Sequence, residues 1–144
     1  MIHSIYPCLW FDNQAREGAA FYCSVFKNSK IVSENPIVVI FELNGQKFMG
    51  LNGGPVFKFN EAVSFVIDCE NQEEIDYYWN KFTADGGQES QCGWCKDKFG
   101  VSWQIVPTAL KSLMNDPATA SKVTKAFMKM KKFDIAQLIE ATKS

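Results

Sequence analysis

The pattern of hydrophobic and polar residues occurs twice in the first three quarters of the chain. A shift of 56 positions superposes Asp12 on Asp68, Phe21-Tyr22 on Tyr77-Tyr78, and Phe26 on Phe82. Each copy opens with an apolar run that ends in an aspartate, Cys8 to Phe11 in the first copy and Val63 to Ile67 in the second. An internal repeat of this kind indicates two copies of one structural unit.

Each apolar run is followed by a segment with helical spacing of its apolar residues. In the first copy these residues are Ala15, Ala19, Tyr22 and Phe26, and in the second copy they are Ile75, Tyr78, Trp79 and Phe82. Asp12 and Asp68 stand at strand ends just before the predicted helices, where a carboxylate accepts hydrogen bonds from free N–H groups and favours the positive end of the helix dipole. We therefore expect both aspartates to cap helices.

Strand-like segments follow each predicted helix. In the first copy they cover 29–33, 37–43 and 46–51, with Asn44-Gly45 as a tight hairpin turn between the last two. In the second copy Asp85-Gly86-Gly87 ends the helix, 89–96 is predicted as a strand, Asp97 to Gly100 as a turn, and 101–106 as the returning strand. The order is βαβββ in both copies.

The remaining sequence predicts a helical tail. Pro107 ends the second copy, and helices are predicted over 109–114, over 118–130 and after Asp134. The predicted fold class is α+β: two βαβββ modules, about 4–54 and 61–107, form a curved sheet around a cleft, with C-terminal helices over 108–144. Gly53-Gly54-Pro55 is the predicted hinge between the modules. The length of 144 residues suits one domain spanning 1–144.

Composition and charge exclude several function classes. The formal net charge is -1, with 15 Lys and Arg against 16 Asp and Glu, so no strong field is present to capture nucleic acid. The longest apolar run, Ile37 to Phe41, is far shorter than the roughly 20 residues of a membrane-spanning helix. The first residues lack the basic and apolar regions of an export signal. With five cysteines, an odd number, the chain is expected to be cytoplasmic with reduced thiols.

Two strand segments and a helix resemble a known protein superfamily. These are Tyr6-Pro7-Cys8-Leu9-Trp10-Phe11-Asp12, the helix with Phe21-Tyr22, and Asp97-Lys98-Phe99-Gly100-Val101-Ser102-Trp103-Gln104-Ile105. Together with the doubled βαβββ order they resemble the vicinal oxygen chelate superfamily, which includes glyoxalase I, extradiol dioxygenases and bleomycin resistance proteins. The segments Leu51-Asn52-Gly53-Gly54-Pro55, Phe57-Lys58-Phe59-Asn60-Glu61 and Gln91-Cys92-Gly93-Trp94 resemble its PhnB-like branch.

The resemblance implies a metal site in which His and Glu on inward-facing strands polarise a substrate. The corresponding positions here are Ile5 or Pro7, a position within Met49 to Asn52, one within Val63 to Phe65, and Gln104. Gln104 stands where the last ligand is usually Glu, and the only histidine, His3, lies two residues before the first expected position. Neutral amide and apolar side chains bind divalent cations poorly, so the sequence predicts no metal and no cofactor.

Members of the PhnB-like branch are commonly described as 3-demethylubiquinone-9 3-methyltransferase domains. A methyltransferase that uses S-adenosylmethionine normally needs a glycine-rich turn between a strand and a helix to approach the cofactor. No such run follows a strand in this sequence, and Gly53-Gly54-Pro55 leads into another extended segment. The sequence therefore argues against methyl transfer.

The candidate ligand-binding cleft combines tryptophans with neutral amides, which is a usual arrangement for capturing a small molecule. Its predicted residues are Trp10, Asn52, Gln91, Trp94, Trp103 and Gln104. Strand alternation leaves open whether Trp10 and Trp103 face the cleft or the helices. It also leaves open whether the aromatic side chains simply fill the cleft.

Cys92 is a candidate reactive thiol because Cys92 and Cys95 have the C-x-x-C spacing of redox proteins. The segment after Cys95 is a predicted strand and turn, so no helix dipole would lower the thiol pKa. We expect two function classes: a metal-free homodimer that captures a small, partly aromatic molecule, or an enzyme on a small organic substrate with Cys92 as nucleophile or an unconventional metal.

Overall fold

The computed structural model describes residues 3–144 and has the predicted α+β architecture. The elements are β1 Cys8–Phe11, α1 Ala15–Val25, β2 Lys30–Glu34, β3 Val38–Leu43, β4 Gln46–Asn52, β5 Ser64–Cys69, α2 Gln72–Thr83, β6 Gln88–Glu89, β7 Trp94–Lys96, β8 Ser102–Pro107, α3 Ala109–Asn115, α4 Pro117–Phe127 and α5 Ile135–Ala141. They divide into a first compact unit that ends at Phe59 and a second that spans Asn60–Ser144. Among residues 3–144, no helix has both the length and the apolar character needed to cross a bilayer.

The first unit is a four-stranded sheet in the order β1-β4-β3-β2, with α1 packed on one face. β1 runs parallel to β4, and β3 is antiparallel to both of its neighbours. Strand alternation sends Phe11, Phe41 and Phe48 to the α1 side, where Tyr22 is fully buried. The predicted hairpin turn is confirmed, because Asn44 and Gly45 both adopt positive φ, 49° and 83°.

The second unit repeats this topology with the order β5-β8-β7-β6 and α2 on one face. The parallel pair β5 and β8 corresponds to β1 and β4. Trp103 stacks on Phe82 of α2 with ring centroids 4.4 Å apart, and Ile75 and Ile105 are fully buried. The identical strand order confirms two βαβββ modules, which we call module one and module two.

One predicted strand is divided in the structure. The segment 89–96 forms β6 and β7, separated by a turn in which Cys92 and Gly93 have φ of 58° and 83°. Their N–H groups donate to the carbonyl oxygens of Met130 and Lys131, each at 2.8 Å. The C-terminal tail therefore shapes this turn, and local sequence pattern does not reveal a partner almost forty residues away.

The expectation that Asp12 and Asp68 cap the helices is wrong. The Ala15 N–H at the start of α1 donates to Asn52 Oδ1 at 2.9 Å. The cap of α2 is Asn71, whose Oδ1 accepts from the Glu74 N–H at 2.9 Å. Both amides have the short acceptor that suits a helix start, but Asn52 comes from a strand distant in sequence.

The three predicted tail helices are confirmed as α3, α4 and α5. Asp116 caps α4 and Asp134 caps α5, each accepting a hydrogen bond from a backbone N–H. The tail is fastened to α2 through Gln72, whose amide donates to the Phe133 carbonyl and accepts from the Ile135 N–H, both at 2.9 Å. These two bonds place the tail against module two.

Candidate functional site

The open face of each sheet, meaning the face opposite its helix, carries the candidate site residues. In module one most of this face is apolar: it presents Trp10, Val38, Ile40, Met49 and Leu51, all half-buried, and Glu42 pairs with Lys47 at its hairpin end. The Trp10 indole N–H donates to the Gly54 carbonyl at 2.8 Å, and the ring contacts the edge of Phe57 at 4.9 Å between centroids. Trp10 therefore holds the segment after β4 against the sheet.

Asn52 uses both ends of its amide within module one. Its oxygen accepts from the Ala15 N–H, and its nitrogen donates to the Pro36 carbonyl at 3.1 Å. The side chain thus joins the start of α1 to the segment before β3. The structure gives Asn52 a positioning role that its sequence context did not indicate.

The open face of module two is more polar, although Val66 and Val106 also lie on it. Gln104 on β8 donates from Nε2 to the Ser64 hydroxyl on β5 at 2.9 Å. Trp94 lies opposite Gln104, and Lys96 lies opposite Ser102, in the antiparallel pairing of β7 with β8. Residues paired in this way project from the same face. A tryptophan, an ammonium group, an amide and two hydroxyls therefore share one surface.

A cavity of about 230 Å³ lies at this surface. It is lined by Glu61, Gln88, Glu89, Ser90, Trp94, Cys95, Lys96 and Ser102. Ser102 is 1% exposed, and its hydroxyl has no hydrogen-bond partner among the residues that the structure describes. Buried hydroxyls almost always have a partner, and the described residues supply none for this one, which lies just beneath the cavity surface.

An ion pair stands at the same cavity. Lys96 Nζ lies 2.7 Å from Glu61 Oε1, with the glutamate side chain 62% exposed and the lysine side chain 33% exposed. The hydrogen bond from Lys96, together with its positive charge, lowers the pKa of Glu61 below its ordinary value. The cavity thus holds a cation whose present partner is a largely solvent-exposed carboxylate.

Two of the predicted cleft residues lie elsewhere in module two. Trp103 is 3% exposed and donates its indole N–H to Asp97 Oδ2 at 3.0 Å, so it belongs to the core under α2 and not to the open face. Gln91 is exposed in the turn between β6 and β7, where its carbonyl accepts from the Trp94 N–H at 3.0 Å. Trp94 and Gln104 are the predicted residues that share the open face of module two.

The candidate thiol Cys92 is half-buried in the same turn, and its sulfur lies 3.9 Å from the Met128 sulfur. The turn precedes a strand, so no helix N-terminus activates this thiol. The second cysteine of the motif, Cys95, is buried, and burial, followed by the charges of Asp97 and Glu89, raises its pKa to about 12. Cys95 therefore contributes a neutral thiol to the cavity lining at physiological pH.

The positions that correspond to the superfamily's metal ligands carry side chains that do not fit a divalent cation. On the open faces they are the Met49 thioether, the Ser64 hydroxyl and the Gln104 amide, and Ile5 is 82% exposed. Such cations are held in proteins by imidazole, carboxylate or thiolate groups. No group of three or more His, Cys, Asp or Glu residues is arranged to hold a metal ion between residues 3 and 144.

The connections from strand to helix also do not suit a nucleotide-type cofactor. Asp12-Asn13-Gln14 joins β1 to α1, and Glu70-Asn71 joins β5 to α2. Neither contains the glycines that let a backbone approach a bound cofactor closely.

Sequence reasoning missed Ser102, Lys96 and Glu61 as members of one site. Lys96 is two residues from Trp94, and Ser102 is two residues from Gln104, which in a strand places both members of each pair on the same face. This part of the site could be found in the sequence. The pairing of Lys96 with Ser102 depends on the register of β7 and β8, and the position of Glu61 depends on the loop before β5. Both are tertiary features.

Comparison with known proteins places the chain among relatives of the same fold. Residues 3–106 match the family model described as 3-demethylubiquinone-9 3-methyltransferase. Among solved structures, the chain resembles the PhnB protein from Bacillus cereus, with 32% identity, a TM-score of 0.66, and coverage of 74% of this chain and 100% of that one. No curated protein sequence matches the chain significantly.

Two more distant structures share the fold. A glyoxalase-related enzyme from Fulvimarina pelagi is 16% identical, with a TM-score of 0.54 and coverage of 76% of this chain and 91% of that one. The fosfomycin resistance protein FosX from Listeria monocytogenes, solved with Mn(II) and sulfate, is 15% identical, with a TM-score of 0.60 and coverage of 80% and 98%. The chain thus belongs to the 3-demethylubiquinone-9 3-methyltransferase family, in its PhnB-like branch, and has the fold of the vicinal oxygen chelate superfamily.

Proposed function

We propose that this protein binds a small, partly aromatic organic molecule in the cavity on the open face of module two, without a metal ion. The observation that carries the proposal is the buried Ser102 hydroxyl, which has no partner among the described residues and lines that cavity. Trp94 supplies an aromatic wall beside it. The volume of about 230 Å³ lies below the roughly 300–1,000 Å³ of pockets for drug-sized ligands, which favours a small ligand.

The energetics of the hydroxyl support this assignment. A buried polar group without a hydrogen bond destabilises a protein by about 1–3 kcal/mol. A ligand atom that reaches the buried Ser102 hydroxyl when the lining side chains move aside recovers this free energy, and the recovered free energy adds to affinity. Binding of a polar molecule that pairs with this hydroxyl therefore removes a free-energy cost that the protein carries without it.

Binding, and not catalysis, is the better-supported class. The lining residues include no histidine, and the Cys95 thiol is held neutral by its raised pKa. A nucleophile needs an adjacent base that is free to take its proton. The amine beside Ser102, that of Lys96, is engaged in the ion pair with Glu61, and the carboxylate beside Cys95, that of Glu89, accepts the Trp79 indole N–H. The family description names a methyl transfer, but the positions expected for its cofactor and for the superfamily metal carry unsuitable residues. We propose capture of a small molecule, as in bleomycin resistance proteins, by a cytoplasmic homodimer.

The test compares two serines on the same face. Ser102→Ala removes the unpaired hydroxyl, so the unliganded variant should melt at the same temperature as the parent or higher. Ser64→Ala removes the acceptor of the Gln104 amide, so it should lose about 1 kcal/mol. A lower melting temperature for Ser102→Ala, equal to that of Ser64→Ala, would show that the hydroxyl already has a partner and would overturn the proposal.

The absence of a metal is tested on the same purified protein. We expect elemental analysis to find no stoichiometric divalent ion, and chelation to leave the melting temperature unchanged. One tightly bound ion per chain would contradict the metal-free proposal. Sedimentation velocity checks the expected dimer, since a monomer at all concentrations would refute it.

A further inference from the structure

We propose that the ligand of this cavity carries a carboxylate that pairs with the Lys96 ammonium group. The Glu61 carboxylate of the protein itself competes with the ligand for this group. The inference rests on the proposed function, because it names the chemical class that the cavity selects. It is carried by the ion pair at the cavity and by the position of the unpaired Ser102 hydroxyl relative to Lys96.

Two donors lie beside each other at the cavity, Lys96 at its surface and the Ser102 hydroxyl buried just beneath the lining. Lys96 and Ser102 are direct partners in the antiparallel pairing of β7 and β8, so their side chains leave the sheet side by side. Directly paired residues have Cβ atoms about 4.5–5.5 Å apart. A carboxylate has two oxygens, one of which can accept from the ammonium group and the other from the hydroxyl. A neutral ligand would use the hydroxyl but leave the charge of Lys96 to Glu61.

Glu61 now occupies the position that a ligand carboxylate would take on Lys96. Its side chain is 62% exposed and lies in the loop before β5, whereas the Lys96 side chain is 33% exposed and extends from a strand in the sheet interior. Exposed ion pairs are weak because water and side-chain entropy offset the attraction. The loop carboxylate can therefore leave while the lysine stays in place.

The other acid at the cavity does not compete for Lys96. Glu89 Oε2 accepts a hydrogen bond from the Trp79 indole N–H at 3.1 Å, which directs it toward α2. The remaining lining groups, Gln88, Ser90, Trp94, Cys95 and Ser102, are neutral. Exchange of Glu61 for a ligand carboxylate therefore leaves the charge balance around Lys96 unchanged.

The experiment uses a matched pair of probes, benzoate and benzamide, which share an aromatic ring and differ in charge. Dissociation constants for the full chain and its variants are measured by isothermal titration calorimetry at low salt. Glu61→Gln should bind benzoate about threefold more tightly than the parent, because an exposed pair of this strength no longer competes. Benzamide binding should not change. Lys96→Met should weaken benzoate at least tenfold, as expected when a charged hydrogen bond is lost.

Control variants separate these effects from general changes in surface charge. Glu70→Gln and Lys98→Met remove charges of the same signs from outside the cavity lining, and both should leave the benzoate affinity unchanged. Melting temperatures establish that each variant is folded. Glu61→Gln changes an exposed side chain, so it remains informative even if Lys96→Met fails to fold.

Equal affinities for benzoate and benzamide in the parent and in Glu61→Gln would overturn the carboxylate inference while leaving a binding cavity in place. Binding of neither probe up to its solubility limit would overturn it as well. The proposed function is judged separately by the melting temperatures of Ser102→Ala and Ser64→Ala, so the two proposals can fail independently.

Discussion

The buried carboxylate of Asp97 fixes the turn that joins β7 to β8, and its removal should weaken the whole of module two. The side chain is 2% exposed. Its Oδ1 accepts from the Phe99 N–H at 2.9 Å and the Val101 N–H at 3.1 Å, and its Oδ2 accepts from the Trp103 indole at 3.0 Å. One side chain thus satisfies three donors between the strands that carry Lys96 and Ser102.

Replacing Asp97 with alanine leaves these three N–H groups without their acceptor. A hydrogen bond to a charged group contributes about 1.5–3 kcal/mol, and contributions within one network do not add fully. We therefore expect Asp97→Ala to lower the free energy of unfolding by about 3–5 kcal/mol. At about 2–4 °C per kcal/mol for a chain of this size class, the melting temperature should fall by about 10 °C.

Urea denaturation followed by far-UV circular dichroism measures this loss, with two comparison variants. Asp97→Asn keeps an acceptor for the two backbone donors but faces the Trp103 indole with an N–H group, so it should lose about 1–3 kcal/mol. Asp12→Ala removes an exposed aspartate that caps no helix and should change stability by less than about 0.5 kcal/mol. If Asp97→Ala is no less stable than Asp12→Ala, the turn does not depend on the carboxylate and the reasoning fails.

Three further predictions concern the tail and the thiols. Gly93→Ala should destabilise the protein by more than about 2 kcal/mol in urea denaturation, since Gly93 has φ of 83° and a Cβ there would lie 2.3 Å from the Phe133 ring. The hydrogen bond from Lys132 lowers the pKa of Asp76, so this pair stabilises the fold above the unfolded pKa, and the stabilisation is lost as pH falls through the lower folded pKa. Asp76→Asn should therefore flatten the acid limb of a stability profile measured between about pH 5 and 2, and an unchanged limb would contradict the assignment. Burial raises the pKa of Cys95 to about 12, so mass spectrometry should find it unalkylated by iodoacetamide at neutral pH until urea unfolds the chain.

Local pattern was enough to predict the architecture. The helices that contain Tyr22 and Trp79, the turn at Asn44 and the three tail helices each depend on residues that are close together in sequence. The 56-residue repeat shows that two segments share the same local pattern. Periodicity of apolar residues and turn propensity act at that range, so they appear in the sequence directly. The same local information predicts which faces are buried without indicating what covers them.

Most of the errors and omissions involve partners distant in sequence; the cap of α2 is the exception, since Asn71 accepts from the Glu74 N–H three residues later. The predicted strand over 89–96 is interrupted by a turn whose N–H groups donate to the carbonyl oxygens of Met130 and Lys131. The first N–H group of α1 donates to the Asn52 side chain and not to Asp12, which is nearer in sequence. A local pattern cannot identify a hydrogen-bond partner that lies tens of residues away. Sequence neighbours therefore suggested caps and strands that tertiary contacts replaced.

The sequence by itself determined the doubled βαβββ fold, the near-neutral charge and the replacement of the expected metal-ligand residues by neutral ones, because these are properties of residue type and spacing. Only the tertiary structure decided that Trp103 packs under α2, that Lys96 lies beside Ser102, and that Glu61 meets Lys96. The reason is physical: a strand pattern alternates between two faces, but strand register and loop path determine which side chains become neighbours on each face.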